Sequence, residues 1–367
     1  MKKILFISNG FAEDLVAITL IKELRKIYSE VEISCLPIVG NTKHFKDLDV
    51  NIIGPHWKLP SEGLNYGDWL LHLLDFLWGL PVLITGQIFS LFINRNKFDL
   101  TITLGDYVGI AAAAIAKVSS PLIHIWVCPA RYYPQYVRKH IKKHGVSIYQ
   151  RGPGPSSLDD TGIEVKCVGN PLFDTFEITG EDFNLHKNIP TIGVLPGSRK
   201  VAYKNLRLLT KVLDSMLQKR KVNFLIALSP KLEKGKFIKT MKQYSTLSNE
   251  FIITDKFGDV LNTSDLIIGL ARTANEQALA LGKPVVTFWG KGFSMSEKMV
   301  RKHAHRIMKK NALLFPPDPE KIVSGVLSLL DDPKKMEEMG KKGMEIMGPR
   351  GGSRVIAQDI KDFLERR

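Results

Sequence analysis

Thr191-Ile192-Gly193-Val194-Leu195-Pro196-Gly197-Ser198-Arg199, continued by residues 200–219, is where the architecture is most legible. Ile192–Leu195 is a short apolar run cut off by a Pro-Gly turn, which marks a buried strand. Beyond the turn Leu209, Val212, Leu213, Met216 and Leu217 recur at helical spacing. A strand, a glycine turn and a helix N-terminus point backbone N–H groups outward, and the helix dipole there favours an anion such as a diphosphate. Ser198 adds a hydroxyl donor and Arg199 a forked cation. An ordinary turn with a solvated Arg199 has the same local sequence, so the surroundings have to choose.

Downstream the same strand-then-helix theme repeats. Val222–Leu228, Phe251–Thr254, Leu266–Gly269 and Val285–Phe288 read as strands with helices between them, one of them Arg272–Leu281. Ala312–Phe315, the helices Pro319–Leu330 and Lys334–Met347, a glycine-rich hinge at Gly348–Arg354 and a last helix at Val355–Glu365 follow. Upstream, Ile178–Pro190 is polar and patternless, which suits a domain boundary. Before it, Lys2–Ser8, an amphipathic Asp14–Ile27 and Val31–Pro37 make a βαβ opening, hence a parallel sheet with right-handed crossovers. Phe98–Leu104, Leu122–Val127, Val146–Tyr149 and Val165–Val168 continue it, with helices at Val108–Lys117 and Val137–Lys143. Gly152-Pro153-Gly154-Pro155 reads as loop.

The expectation is therefore α/β: two Rossmann-like domains facing a cleft. Residues 1–178 would form the first, 191–347 the second, and 348–367 a hinge and helix that can pack back on the first domain. At 367 residues there is length for two cores. The Asn9–Asp14 loop lies at the carboxyl end of the first strand, where open α/β sheets bind ligands. It lacks GxGxxG, which argues against NAD.

Charge is unevenly placed. Residues 1–180 hold 18 Lys and Arg against 17 Asp and Glu, and the remainder holds 34 against 20. A basic second half suits an anionic ligand or an anionic membrane surface. No Arg-rich repeat, zinc finger or RNP-type motif supports nucleic acid as a partner. Cys35, Cys128 and Cys167 are widely spaced, with no CxxC pair, so neither zinc nor a disulfide framework is expected. The first apolar run stops at Ser8-Asn9-Gly10, too short for a signal peptide, which suggests a cytoplasmic protein.

Trp69–Ile93 stands apart, with a single charge, Asp75, over 25 residues. Three readings are open: a membrane span, a pair of buried helices, or a surface that dips into the bilayer or holds a lipid chain. Asp75, Gly79-Leu80-Pro81 and Gly86-Gln87 divide it into shorter pieces. Trp57, Lys58, Tyr66, Trp69 and Trp78 favour an interfacial place. Lys298–Lys310 holds six Lys and Arg and no acid. It reads as one basic helix face, either solvated or against anionic headgroups.

The motif order resembles the lipid-A-disaccharide synthase family of GT-B glycosyltransferases over most of the chain. Val168-Gly169-Asn170-Pro171-Leu172-Phe173-Asp174 resembles a VGHPLxD-like segment, and Leu195-Pro196-Gly197-Ser198-Arg199 its LPGSR segment. Leu104-Gly105-Asp106-Tyr107 is similar to the family's aspartate loop, and Ile123–Pro129 to its IxYxxSP-like strand. Thr273–Pro284, which reads TANEQALALGKP, resembles its TATLEAALAGxP-like helix. Two places depart from the family. The opening loop reads Ser8-Asn9-Gly10-Phe11-Ala12-Glu13-Asp14 instead of a GEASGD-like run, with only Asp14 in place, and Leu270-Ala271-Arg272 stands where the family has Ser-Gly-Thr.

Glycosyl transfer to a hydroxyl needs a base for the acceptor proton and a counter-charge for the departing UDP. Asp106 is the candidate base, and an N-cap role for the helix after it is equally open. Asn9, Gly10 and Asp14 would lie on the acceptor side, where Asp14 can instead cap its own helix. The resemblance implies donor binding by Gly197, Ser198, Arg199, Arg272, Thr273, Glu276 and Gln277, with Glu276 on the ribose. Arg272 equally reads as a surface charge. No metal and no cofactor beyond the UDP-sugar is expected, since Arg199 and its turn would replace the metal.

Together these imply an inverting, metal-independent hexosyltransferase. It would move a sugar of GlcNAc type from a UDP-sugar to a lipid or lipid-linked acceptor in lipid A biosynthesis, peripherally bound at the inner face of the cytoplasmic membrane. A homodimer is compatible with the sequence. Two rivals share the architecture: a non-hydrolysing UDP-sugar epimerase, and a non-catalytic membrane-associated relative.

Overall fold

The computed structural model describes residues 1–39, 42–57, 59–60, 69–126, 133–152, 156–292 and 295–367, without the side chains of His44, Trp69 and Leu71. Lys58, Tyr66, most of the stretch after Trp126 and the Pro-Gly-Pro of the 152–155 loop lie outside these residues. The chain divides into two compact units, Met1–Thr175 with Pro349–Arg367, and Phe176–Gly348.

In the first unit β1 (Lys2–Ser8), β2 (Val31–Pro37), β3 (Asn51–Ile52), β4 (Leu100–Leu104), β5 (Leu122–Trp126), β6 (Gly145–Gln150) and β7 (Val165–Lys166) form one sheet. Their order is β3-β2-β1-β4-β5-β6-β7 and every pairing is parallel. Ile4–Ile7 is buried throughout, because a parallel strand covered on both faces must be apolar at every position. The connecting helices are α1 (Phe11–Ile27), α2 (Trp69–Leu77), α3 (Leu80–Asn94), α4 (Val108–Ile115) and α5 (Gln135–His144).

Trp69–Ile93 is two helices on the outside of this unit. Gly79 takes the left-handed conformation between them, with φ 89°, and Pro81 sits in the first turn of α3. No helix among the described residues is long and apolar enough to cross a membrane; at 15 residues α3 spans about 22 Å against a hydrocarbon core of about 30 Å. The reading as plain buried helices fails as well. Along α3 only Leu83, Gln87 and Leu91 are buried, a single stripe at four-residue spacing. Gln87 Nε2 anchors that stripe by donating to the carbonyls of Ile38 and Pro55, at 2.9 and 3.0 Å. Leu77, Trp78, Val82 and Phe89 are each more than 60% exposed, and Leu70, Leu73, Phe76 and Ile93 are exposed beside them.

The second unit holds β8 (Thr191–Leu195), β9 (Asn223–Ala227), β10 (Phe251–Thr254), β11 (Leu266–Gly269), β12 (Val285–Phe288) and β13 (Leu313–Phe315). They pair in parallel in the order β10-β9-β8-β11-β12-β13. Helices α6 (Val201–Lys219), α7 (Lys234–Lys242), α8 (Phe257–Thr263), α9 (Thr273–Ala280), α10 (Glu297–Arg306), α11 (Pro319–Leu330) and α12 (Pro333–Met347) surround them. Ala202, Leu206, Leu209, Val212, Leu213 and Met216 give α6 its buried face. The basic stretch 298–310 is not one helix face. Its helix ends at Arg306, and Lys309 and Lys310 adopt positive φ in the turn beyond. Asp259 of α8 ties down the polar residues at the start of this unit, accepting from the amides of Thr179, Gly180 and Glu181 and from the Thr179 hydroxyl. Burial pushes that carboxyl upward, but the donors outweigh it and hold it below the ordinary range.

The chain then returns to the first unit as α13 (Gly352–Glu365), which packs on α1 through Ile356, Ala357, Ile360 and Leu364. Three of the seven residues of the expected hinge, 352–354, are thus already helical. Asp174 caps it from a distance, its two oxygens accepting from Gly351 N at 2.7 Å and Ser353 N at 2.8 Å. Gly169 lies against the Pro349 carbonyl, where a Cβ would come within 2.4 Å. Farther along, Asp359 takes hydrogen bonds from the Tyr149 hydroxyl and Lys166 Nζ. In this structure the Val168–Asp174 motif is the dock for α13.

Candidate functional site

Each sheet has one place where the strand order reverses, and ligands of open α/β sheets bind at the carboxyl ends there. In the first unit it lies between β1 and β4, in the second between β8 and β11.

At the first reversal stand the loops Asn9-Gly10 and Gly105-Asp106. Gly10 and Gly105 both have positive φ, 133° and 106°. The Glu13 side chain fills the space against both: a Cβ on Gly10 would meet Glu13 Oε2 at 3.0 Å, and one on Gly105 would meet Glu13 Cγ at 2.9 Å. Asp106 stands one residue before the N-cap of α4, Tyr107; its Oδ1 accepts from Val108 N at 2.9 Å and from Asn9 Nδ2 at 3.2 Å. Its Oδ2 accepts no hydrogen bond among the described residues. Helix α1 begins three residues before Asp14, which therefore does not cap it. Asp14 is fully buried and accepts from Ser8 Oγ at 2.6 Å. Of the residues expected on the acceptor side, Asn9 bonds Asp106, Gly10 follows it with Glu13 against its α-carbon, and Asp14 is bonded to Ser8 at the end of β1. Glu13 was not anticipated, although its place in an acidic first turn beside a ligand loop was a visible signal.

At the second reversal Gly197 has φ 98°, and a Cβ there would come within 3.1 Å of the Leu270 carbonyl. Leu270 N donates to Leu195 O at 2.8 Å, so the Pro196–Lys200 and Leu270–Arg272 loops lie side by side. Ser198 and Arg272 are exposed, and Arg199 and Thr273 half-buried. Helix α6 starts at Val201, two residues beyond Arg199, and α9 starts at Thr273; neither has a side-chain cap. Two helix N-termini therefore follow adjacent loops at this reversal, and each loop carries an arginine, which concentrates positive potential there. Under it, Gly269 O accepts from Thr287 Oγ1 and Asn275 Nδ2.

Glu276 and Gln277, expected beside the ligand, are both buried in α9. Glu276 Oε1 pairs with His303 Nε2 of α10 at 2.8 Å. Glu276 is therefore not a solvated surface residue of its helix, and His303, given no role from the sequence, turns inward while its basic neighbours stay exposed. Among the described residues no group of three or more His, Cys, Asp or Glu is placed to hold a metal ion.

No protein-family model matches the chain, and no curated protein matches it in sequence. Solved structures do match along its whole length. The calicheamicin glycosyltransferase CalG4 has a TM-score of 0.67 at 13% identity, covering 100% of this chain and 99% of its own. UDP-GlcNAc 2-epimerase from Neisseria meningitidis, bound to UDP-GlcNAc, has 0.61 at 16%, covering 98% and 100%. MurG from Acinetobacter baumannii has 0.59 at 13%, covering 99% and 100%. The fold is GT-B. At these identities the likeness is one of architecture, shared by glycosyltransferases and epimerases alike.

Proposed function

We propose that this GT-B protein is a metal-independent inverting glycosyltransferase, similar in role to the lipid-A-disaccharide synthases. It moves a sugar of GlcNAc type from a UDP-sugar to a lipid or lipid-linked acceptor at the inner face of the cytoplasmic membrane. The observation that carries the reading is the exposed apolar surface of α2 and α3. Water disfavours so large a contiguous apolar patch, and a bilayer or acyl chain removes the cost. Trp78, and Trp57 with its indole N–H on the Trp78 carbonyl, suit the headgroup boundary. Arg95, stacked over Phe92 at the end of α3, suits an anionic phosphate. The exposed cations of α10 offer a second headgroup contact.

In this reading Asp106 takes the acceptor proton on Oδ2, with Asn9 and Val108 N holding its other oxygen. Arg199, Ser198 and the Gly197 backbone hold the diphosphate and offset its growing charge as the sugar leaves, aided by Arg272 and Thr273 at the start of α9. Glu276 binds the ribose. The test is transfer from labelled UDP-sugars to membrane lipid extracts. Asp106→Asn should lower kcat about 10²- to 10⁴-fold while nucleotide binding persists, and Arg199→Ala should weaken UDP. Full turnover by Asp106→Asn removes the base, and unchanged UDP affinity in Arg199→Ala removes the cradle.

A second reading, epimerisation of a UDP-sugar, draws support from Glu13, which brings another carboxylate to the loops that carry Asp106. Incubation with UDP-GlcNAc alone separates the two: an epimer formed without acceptor refutes the transferase. If neither UDP nor UDP-sugars raise the melting temperature, the chain is a non-catalytic relative.

A further inference from the structure

We infer that His303 is a positioning residue for the ribose-binding carboxylate, so that recognition of the nucleotide's sugar hydroxyls depends on α10 as well as on α9. This rests on the donor-site reading of Glu276.

Glu276 lies on α9, four residues from its N-cap, and its side chain is 7% exposed. A glutamate has three side-chain torsions, and a carboxylate aimed at a vicinal diol has to be held in one plane to accept from both hydroxyls. His303 Nε2 supplies that hold at 2.8 Å, and it is itself only 10% exposed. An imidazole bonded through Nε2–H donates whether or not Nδ1 is protonated. A carboxylate offers about four acceptor sites, so an oxygen bonded to His303 still accepts a hydroxyl.

The position of His303 is itself determined. Val300 and Ala304 are the buried residues of α10 and put its inner face toward the sheet, with His303 beside them. Arg301 is held by Glu297 one turn earlier and lies 4.8 Å over the Trp289 ring, which fixes α10 against the loop after β12. That loop is fastened in turn to α6, where Asn205 accepts from Lys291 N and donates to Lys291 O. The segment that follows the diphosphate turn and the segment that orients the ribose glutamate are therefore joined within the second unit, through the Asn205–Lys291 hydrogen bonds and the Arg301–Trp289 stack.

The test compares UDP with 2′,3′-dideoxyuridine diphosphate, which lacks both ribose hydroxyls, by calorimetric titration. The wild type is expected to favour UDP about 10-fold or more. His303→Ala should lose that preference, binding UDP as weakly as the dideoxy compound while the dideoxy affinity stays at the wild-type value. His303→Gln, which places an amide N–H near the Nε2 position, should restore most of the preference. Retention of the full preference by His303→Ala overturns the inference, as does an equal fall in affinity for both nucleotides, which marks a merely structural histidine. Equal binding of both nucleotides by the wild type overturns the ribose reading of Glu276 itself, and the inference falls with it.

Discussion

Replacing Asp174 by alanine should loosen α13 without disturbing either sheet. The substitution removes both acceptors that close the start of α13, at 2.7 and 2.8 Å. Losing a helix cap costs about 1 kcal/mol and at most about 2, and a hydrogen bond to a charged group contributes about 1.5–3 kcal/mol when desolvated. Gly351 is exposed, so water replaces most of its bond, whereas Ser353 is buried and keeps less access to water. The two together come to about 2–3 kcal/mol. Against this, Ile356, Ile360 and Leu364 each contribute about 1.5–3 kcal/mol by burial, so the helix stays docked on average and opens more often. Amide exchange along α13 should speed by about 30- to 150-fold, at 1.4 kcal/mol per tenfold. Exchange in β8 and β11 of the other unit should be unchanged. Asp174→Asn, which keeps one carbonyl acceptor, should fall between wild type and alanine. Exchange in α13 within threefold of wild type would refute the assignment of Asp174 as its cap.

Acid should destabilise the first unit through His124. Its ring is fully buried between the Thr103 and Tyr133 hydroxyls, and burial lowers its pKa from 6.5 to about 4. The unfolded chain takes up a proton below pH 6.5 and the folded one only near 4, so stability is full above 6.5 and falls as pH drops to 4. The loss is about 3 kcal/mol by linkage; denaturation midpoints across that window measure it, and a flat profile refutes it. Gly269→Ala would put a Cβ 1.8 Å from Asn275 Oδ1, costing about 1–3 kcal/mol. In the Asn275→Ala background the same change should cost much less, and strict additivity would contradict the clash. Leu77→Asp with Phe89→Asp should abolish flotation with vesicles containing anionic lipid while UDP affinity is retained; undiminished flotation counts against α2 and α3 as the lipid surface.

The βα order could be read from the sequence because each parallel strand is covered on both faces and so appears as an unbroken apolar run, as in Ile4–Ile7 and Ile192–Leu195. Loops that belong to a reversal point were legible for the same reason, since they follow those runs directly. Pairings between distant residues were not. Asp174 and Gly351 are 177 positions apart, and nothing local to an NPLFD segment indicates a helix to be capped. Glu276 and His303 are 27 apart, and the histidine sits among lysines and arginines that disguise its place beside the buried Val300 and Ala304. In α2 and α3 composition pointed to apolar surroundings but could not say whether protein or lipid supplies them, because a leucine facing a core and one facing a bilayer have the same chemistry.

The discontinuity of the first unit has a consequence for biosynthesis. Residues 176–348 form a continuous unit that needs no later segment to complete it, but α1 must wait for α13 to cover it. The unit that begins first is therefore finished last. While the second unit is being translated, the face of α1 that α13 covers stays open, alongside α2 and α3, which no later segment of the described chain buries. A nascent chain with that much uncovered apolar surface is exposed to aggregation until α13 arrives, which makes it a target for chaperones.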